Sequence, residues 1–141
     1  MTVRLAIVAA SFNAEITDRM VTRAVTRAKE LGAAVEVVRV PGTFEIPLAL
    51  RRLLSRKDID AGVALGALIQ GQTDHDDLLG HSVAKALLDL QIRTGKPIGL
   101  GITGPGMSHA VAMRRIGNAA RAVDAAVTMA RAKRPIRGRR A

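Results

Sequence analysis

The run Gly66-Ala67-Leu68-Ile69-Gln70-Gly71-Gln72-Thr73-Asp74-His75 carries the densest chemistry of this 141-residue chain. It leads from an apolar strand through a glycine-bearing loop into a helix. Gly66 and Gly71 let the backbone approach a ligand closely or take a positive φ. Thr73 is a good N-cap, and Asp76, three positions on, opposes the positive end of the helix dipole. Free amides at such a terminus hold an anion, phosphate above all. His75 stands beside that seat with a side chain of the type that titrates near neutrality. An anion seat next to a proton carrier is the chemistry on offer. The plainer reading is an ordinary strand, turn and helix with a surface histidine, and this segment alone fits both.

The elements that position this loop can be read from hydrophobic spacing. Residues 3–10 form a continuous apolar run, as in a strand covered on both faces. Ile16, Met20, Ala24, Ala28 and Leu31 recur at helical spacing, with Gly32 as the stop. A second strand is expected over 35–40, then a helix capped by Thr43 through residue 54, with Pro47 tolerated in its first turn. The third strand covers 61–65 and its helix about 74–93. The fourth strand covers 98–102, broken by Gly104-Pro105-Gly106, after which Ser108 caps one long helix to about residue 132. Four strand–helix alternations predict a parallel sheet with right-handed crossovers and helices on both faces, an αβα sandwich of the flavodoxin-like kind. Ligands of such folds sit beyond the carboxyl ends of the strands. The strand-to-helix loops should therefore meet on one rim, and His75 is the general acid–base candidate expected there.

Both phenylalanines, Phe12 and Phe44, fall in those loops, and the chain has no tyrosine or tryptophan. A flat face at a ligand edge suits stacking on a heteroaromatic ring. The alternative is that each ring plugs a gap beneath its own loop.

Composition narrows the classes. With no cysteine, a disulfide framework, a thiol nucleophile and a thiolate metal site are excluded. His75, His81 and His109 are not spaced as a metal cluster, and no metal is expected. No apolar stretch approaches the roughly 18 residues that span a bilayer, so a soluble, cytoplasmic protein is expected. The net charge of +10 falls to +4 without the six basic residues of the last eleven positions. One domain over 1–132 and a solvated basic tail over 133–141 follow. The tail serves solubility on the plain reading and contact with polyanions on the sharper one. The body lacks aromatics interleaved with basic residues, which argues against a nucleic-acid binder.

Taken together, the loops resemble those of the lumazine synthases, over nearly the whole chain. Ser11-Phe12-Asn13-Ala14-Glu15-Ile16-Thr17 is similar to the family's first loop, and Val40-Pro41-Gly42-Thr43-Phe44-Glu45-Ile46-Pro47 to its most specific signature. Gly71-Gln72-Thr73-Asp74-His75 follows its glycine-x-threonine-x-histidine pattern. The resemblance implies condensation of 5-amino-6-ribitylaminouracil with 3,4-dihydroxy-2-butanone 4-phosphate, without a cofactor. It also implies roles. Phe12 would stack on the pyrimidine, while Thr43, Phe44, Glu45, Ala67, Leu68 and Ile69 would hold the ring edge and ribityl chain through backbone and side chains. Gln72, Thr73 and Arg115 would hold the phosphate and His75 would move protons. Leu100 would add an aliphatic contact at the end of the fourth strand, where bacterial members often have an aromatic residue. Asn13 and Arg121 are further candidates. The partners implied are the two small substrates and copies of the chain itself, in a pentamer or a pentamer-based shell with sites between subunits. Arg115, about seven residues into the helix after Ser108, sits roughly 10 Å from its own rim, which favours a shared site.

The sequence departs from the family in places. Gln70 stands where arginine is common, and the stretch from Arg115 to Val123 is two residues shorter than in bacterial relatives. The chain starts on its first strand, without the N-terminal arm of some members. The alternatives are a riboflavin synthase of the archaeal type, against which Phe44-Glu45-Ile46-Pro47 and Thr73-x-His75 argue, and a non-catalytic flavodoxin-like module. A receiver domain would need clustered acids after the first strand, where Ser11-Phe12-Asn13 has none.

Overall fold

Alternate residues of the first strand, β1 (Arg4–Ala10), feed two different cores, as a period of two requires. Leu5, Ile7 and Ala9 belong to one, and Ala6, Val8 and Ala10 to the other. The computed structural model describes residues 2–72, 74–132 and 136–140. Its sheet is completed by β2 (Ala34–Val40), β3 (Ala61–Ile69) and β4 (Ile98–Met107), all parallel, in the order β2-β1-β3-β4. The helices are α1 (Ala14–Glu30), α2 (Ile46–Leu54), α3 (Asp76–Thr94), α4 (His109–Arg114) and α5 (Asn118–Arg131). Against the first face pack Ile16, Met20 and Ala24 of α1 with Ala119, Val123 and Val127 of α5. Ile46 and Leu50 of α2 and Val83 and Leu87 of α3 cover the second. All nine residues of β3 are buried, as a central strand between two helical layers should be. This is the expected three-layer, flavodoxin-like arrangement.

Several boundaries differ from the sequence reading. β3 does not stop at residue 65 but runs to Ile69, with Gly66 inside the strand. A Cβ at Gly66 would lie 2.8 Å from the Thr43 hydroxyl, so glycine here makes room for the neighbouring loop. Thr43 accordingly does not cap α2. Its side chain is buried against Gly66, and residues Thr43–Glu45 form a single 3-10 turn preceded by Gly42. β4 likewise continues through Gly104-Pro105-Gly106, where two positive-φ glycines let it bulge and rejoin β3 at the pair Ile69–Met107. Ser108 does cap a helix, its hydroxyl accepting from the Val111 amide at 3.2 Å, but that helix is short. The chain turns at 115–117, where Ile116 packs against the core and Gly117 weakens the helix, and α5 begins anew. For α3 the cap position is His75 rather than Thr73, with Asp76 and Asp77 in the first turn. Thr73 itself lies outside the described residues, as do 133–135 and 141 of the expected tail. Residues 136–140 are exposed and without regular secondary structure. Arg131, one of the basic residues counted with that run, is helical and donates to the Leu31 carbonyl at 2.6 Å.

Close packing of α5 on β4 makes a stability test. A Cβ on Gly99 would meet the carbonyl oxygen of Ala122, a backbone atom that cannot swing away. Gly99→Ala should cost about 1–3 kcal/mol or more, read as a lower denaturation midpoint in urea; an unchanged midpoint would show that α5 can shift freely.

Candidate active site

The rim is stitched from the carboxyl end of β1 outward. Ser11 and Phe12 donate their amides to Val40 and Pro41 carbonyls at 2.7 and 3.0 Å, tying the first loop to the second. Asn13 holds φ at +61°, a conformation asparagine tolerates better than most residues. From there its Nδ2 donates to the Ala67 carbonyl at 2.8 Å and to Gln72 Oε1 at 3.0 Å. Gln72 Nε2 returns a bond to Asn13 Oδ1 at 2.9 Å. One asparagine thus joins the loop after β1 to both the end of β3 and the loop beyond it.

Around this clasp stand the two aromatic rings. Phe12 is 58% and Phe44 71% exposed, so neither plugs a gap beneath its loop. Glu45 is exposed as well and makes no ion pair among the described residues. Ala67, Leu68 and Ile69 are buried, as is the side chain of Thr43. In the single chain these four leave chiefly backbone for a ligand to meet. Gln72 has both ends of its amide on Asn13, and its backbone N–H bonds to the Ile69 carbonyl at 3.3 Å. Its Nε2 keeps a second N–H with which to meet a phosphate while Asn13 holds the side chain in place.

His75 is exposed at the start of α3, its carbonyl accepting from the Leu79 amide at 2.8 Å. It is not the only histidine on this side of the molecule. His109, the first residue of α4, places Nε2 3.5 Å from Glu15 Oε2 in the first turn of α1. The signal was available in the sequence: His109 follows a strand-to-helix junction, as His75 does.

Leu100, Arg115 and Arg121 are elsewhere. Leu100 is the third residue of the edge strand β4, paired with Ala64, because β4 runs on to Met107, and it is 56% exposed. The expectation of a residue at the strand end is corrected accordingly. Arg115 closes the far end of α4 and lines a hollow of about 560 Å³ with Arg23, Arg114, Gly117, Asn118 and Arg121. None of these residues belongs to the rim loops. Arg115 and Arg121 are therefore brought together, in a hollow that Phe12, Glu45 and His75 do not line.

Titration is perturbed away from both places. Hydrogen bonds from Arg56 hold the Asp58 carboxyl below its usual range, and Asp58 with Glu36 raises Arg56. Asp124 and Glu30 do the same for Arg27. These exposed pairs hold neighbouring elements together at the surface. Among the described residues no three histidine, aspartate or glutamate side chains gather as a metal site, and no helix is long and apolar enough to cross a membrane.

Comparison with known proteins bears on this geometry. The family model described as 6,7-dimethyl-8-ribityllumazine synthase matches residues 2–134. A 6,7-dimethyl-8-ribityllumazine synthase of Methanopyrus kandleri is 51% identical over 137 residues, covering 96% of this chain and 97% of that one. One from Metallosphaera sedula is 52% identical over 134 residues, 94% of this chain and 89% of the relative. One from Archaeoglobus fulgidus is 45% identical over 128 residues, 90% of each.

Proposed function

The chain belongs to the 6,7-dimethyl-8-ribityllumazine synthase family, and on that footing we propose how its rim carries out the family's reaction. The enzyme condenses 5-amino-6-ribitylaminouracil with 3,4-dihydroxy-2-butanone 4-phosphate in the penultimate step of riboflavin biosynthesis. The amine forms an imine with the ketone and loses water, phosphate is eliminated, and ring closure loses a second water. No cofactor is required by these steps.

The observation that carries the assignment is the Asn13 clasp, which gathers the loops after β1 and β3 beside two exposed aromatic rings. Phe12 stacks on the pyrimidine and Phe44 lies along the substrate. Glu45 accepts from ribityl hydroxyls, while Thr43, Ala67, Leu68 and Ile69 present backbone groups to the ring edge. Thr73 and the amides around it take the phosphate, with Gln72 and Asn13 holding that loop in place. His75 moves protons at nitrogen and oxygen, a contribution of roughly 10²–10⁴-fold. Holding two small molecules in attack geometry supplies much of the rest.

Arg115 comes to the phosphate from a neighbouring subunit, as Leu100 comes to the pyrimidine, with Arg121 nearby. Their separation from the rim supports this. α4 is about 9 Å long, and Arg115 stands at its far end. A head-to-tail ring, here a pentamer or a shell built of pentamers, presents one subunit's hollow to the next subunit's rim. Leu48 on α2, Leu88 and Ile92 on α3 and Leu100 on β4 are large apolar side chains left exposed, as subunit contacts require. The setting we propose is the cytoplasm, where both polar substrates are available.

Mixing the two substrates with purified protein should produce lumazine absorbance and fluorescence well above the uncatalysed rate; no enhancement would end the assignment. The basic tail is proposed as a solubility element. Since Arg131 is tied into the fold, removal of everything after Ala132 should leave activity and assembly nearly unchanged at moderate salt. Collapse of the assembly on truncation would give the tail a structural role instead.

A further inference from the structure

Two arginines on the same side of α1 have opposite surroundings. Arg27 is met by carboxylates, Asp124 at 2.6 Å and Glu30 at 2.9 Å. Arg23, one turn earlier, faces three more arginines with Gly117 and Asn118, and no carboxylate. It lines the hollow with Arg114, Arg115 and Arg121, and its Nη2 hangs over Gly117, 3.7 Å from where a Cβ there would stand. No carboxylate lines this hollow, and none of its four guanidiniums has an ion pair or side-chain hydrogen bond among the described residues. The neighbouring Asp124 is already committed to Arg27.

Four like charges around one hollow repel one another, and a shared anion relieves that repulsion. Guanidinium groups bind phosphate bidentately and strongly. The first turn of the 14-residue α5 also opens here, adding the positive end of its dipole. The geometry points to a phosphate-binding site in this hollow, with Arg23 as a ligand that acts beside Arg115. This deepens the shared-site reading above and rests on it for the identity of the anion. The chemistry is that of a phosphate dianion, carried by the phosphorylated ketone or freed by its elimination. In the first case Arg23 sets the affinity for that substrate; in the second the hollow retains the leaving group.

The test is calorimetric titration of the full-length protein with inorganic phosphate at low ionic strength. Wild type should bind saturably, and Arg23→Gln should bind about tenfold more weakly, the loss expected for one charge-assisted contact. Arg23→Lys should fall between them. Arg56→Gln, which breaks a carboxylate-paired arginine away from the hollow, should leave the affinity as it was. Steady-state kinetics separate the two sources. If phosphate competes with the phosphorylated ketone and Arg23→Gln raises the KM of that substrate but not of the amine, the hollow holds the substrate's own phosphate. If phosphate binding is lost in Arg23→Gln without competition, it holds the released ion. An Arg115→Gln enzyme with an unchanged KM for the phosphorylated ketone would remove the shared-site reading while leaving the hollow's phosphate affinity to stand. Absence of binding to wild type, or equal binding by Arg23→Gln, overturns the proposal.

Discussion

Mixing two crippled chains should restore an active enzyme. Replacing Arg115 by alanine removes the guanidinium proposed to hold the phosphate, a loss expected at roughly 10- to 100-fold in turnover of the phosphorylated ketone. Replacing His75 by alanine damages the opposite half of the site. In a head-to-tail ring each site takes its rim from one subunit and its arginine from the next. Random reassembly of equal amounts of the two variants leaves about a quarter of the interfaces with both halves intact. Activity should therefore rise toward about a quarter of wild type, well above the mean of the two parent proteins. The structural ground is the position of Arg115, on the hollow with Arg23 and Arg121, which no rim-loop residue lines. Mixed rings that stay as inactive as their parents, or a stable monomer that is fully active, would refute the shared site.

His75→Ala on its own should slow turnover by about tenfold or more without unfolding the protein. The side chain is exposed at the first position before α3, so no core contact is lost. Abolition is not expected, because an amine and an activated ketone held together still react. The structure adds a control that the sequence did not ask for. His109, held near Glu15, is a second imidazole on the same side of the molecule. If His75 is the proton carrier, His109→Ala should leave the rate within about twofold, since a half-exposed polar contact contributes little. A wild-type rate for His75→Ala, or a larger loss for His109→Ala, would transfer the role.

The layers of this protein were legible along the chain because they are set by local pattern. A continuous apolar run such as residues 3–10 can be satisfied only between two helical layers. The spacing of Ile16, Met20, Ala24 and Ala28 has one solution, a helix with that stripe inward. The alternation of the two then leaves the chemistry-bearing loops on a single rim. Phe12, Asn13, Phe44, Glu45 and His75 could be named for that reason, and through likeness to a family's motifs.

Where local pattern ended, contacts between distant residues decided. Gly66 and Gly104 read as breaks, since glycine is permissive, yet both strands continue. The hydroxyl of Thr43 needs the space at Gly66, and β4 rejoins β3 beyond its bulge. Thr43 read as a cap, because threonine caps helices, but its oxygen is buried in the neighbouring strand. Gln72 was named as a phosphate ligand, and only the structure shows that its side chain is also held by an asparagine 59 positions away. Arg23 attracted no notice, since one arginine on an amphipathic helix resembles any other. Only the packing of α1 against α5 shows that Arg27 has carboxylates and Arg23 has none among the described residues. Sequence by itself determined which way each segment folds and which rim bears the chemistry, because backbone propensity and burial act over a few residues. Tertiary structure decided which polar groups are already committed and which remain to meet a ligand, because a hydrogen bond or an ion pair depends on distances that no local pattern contains.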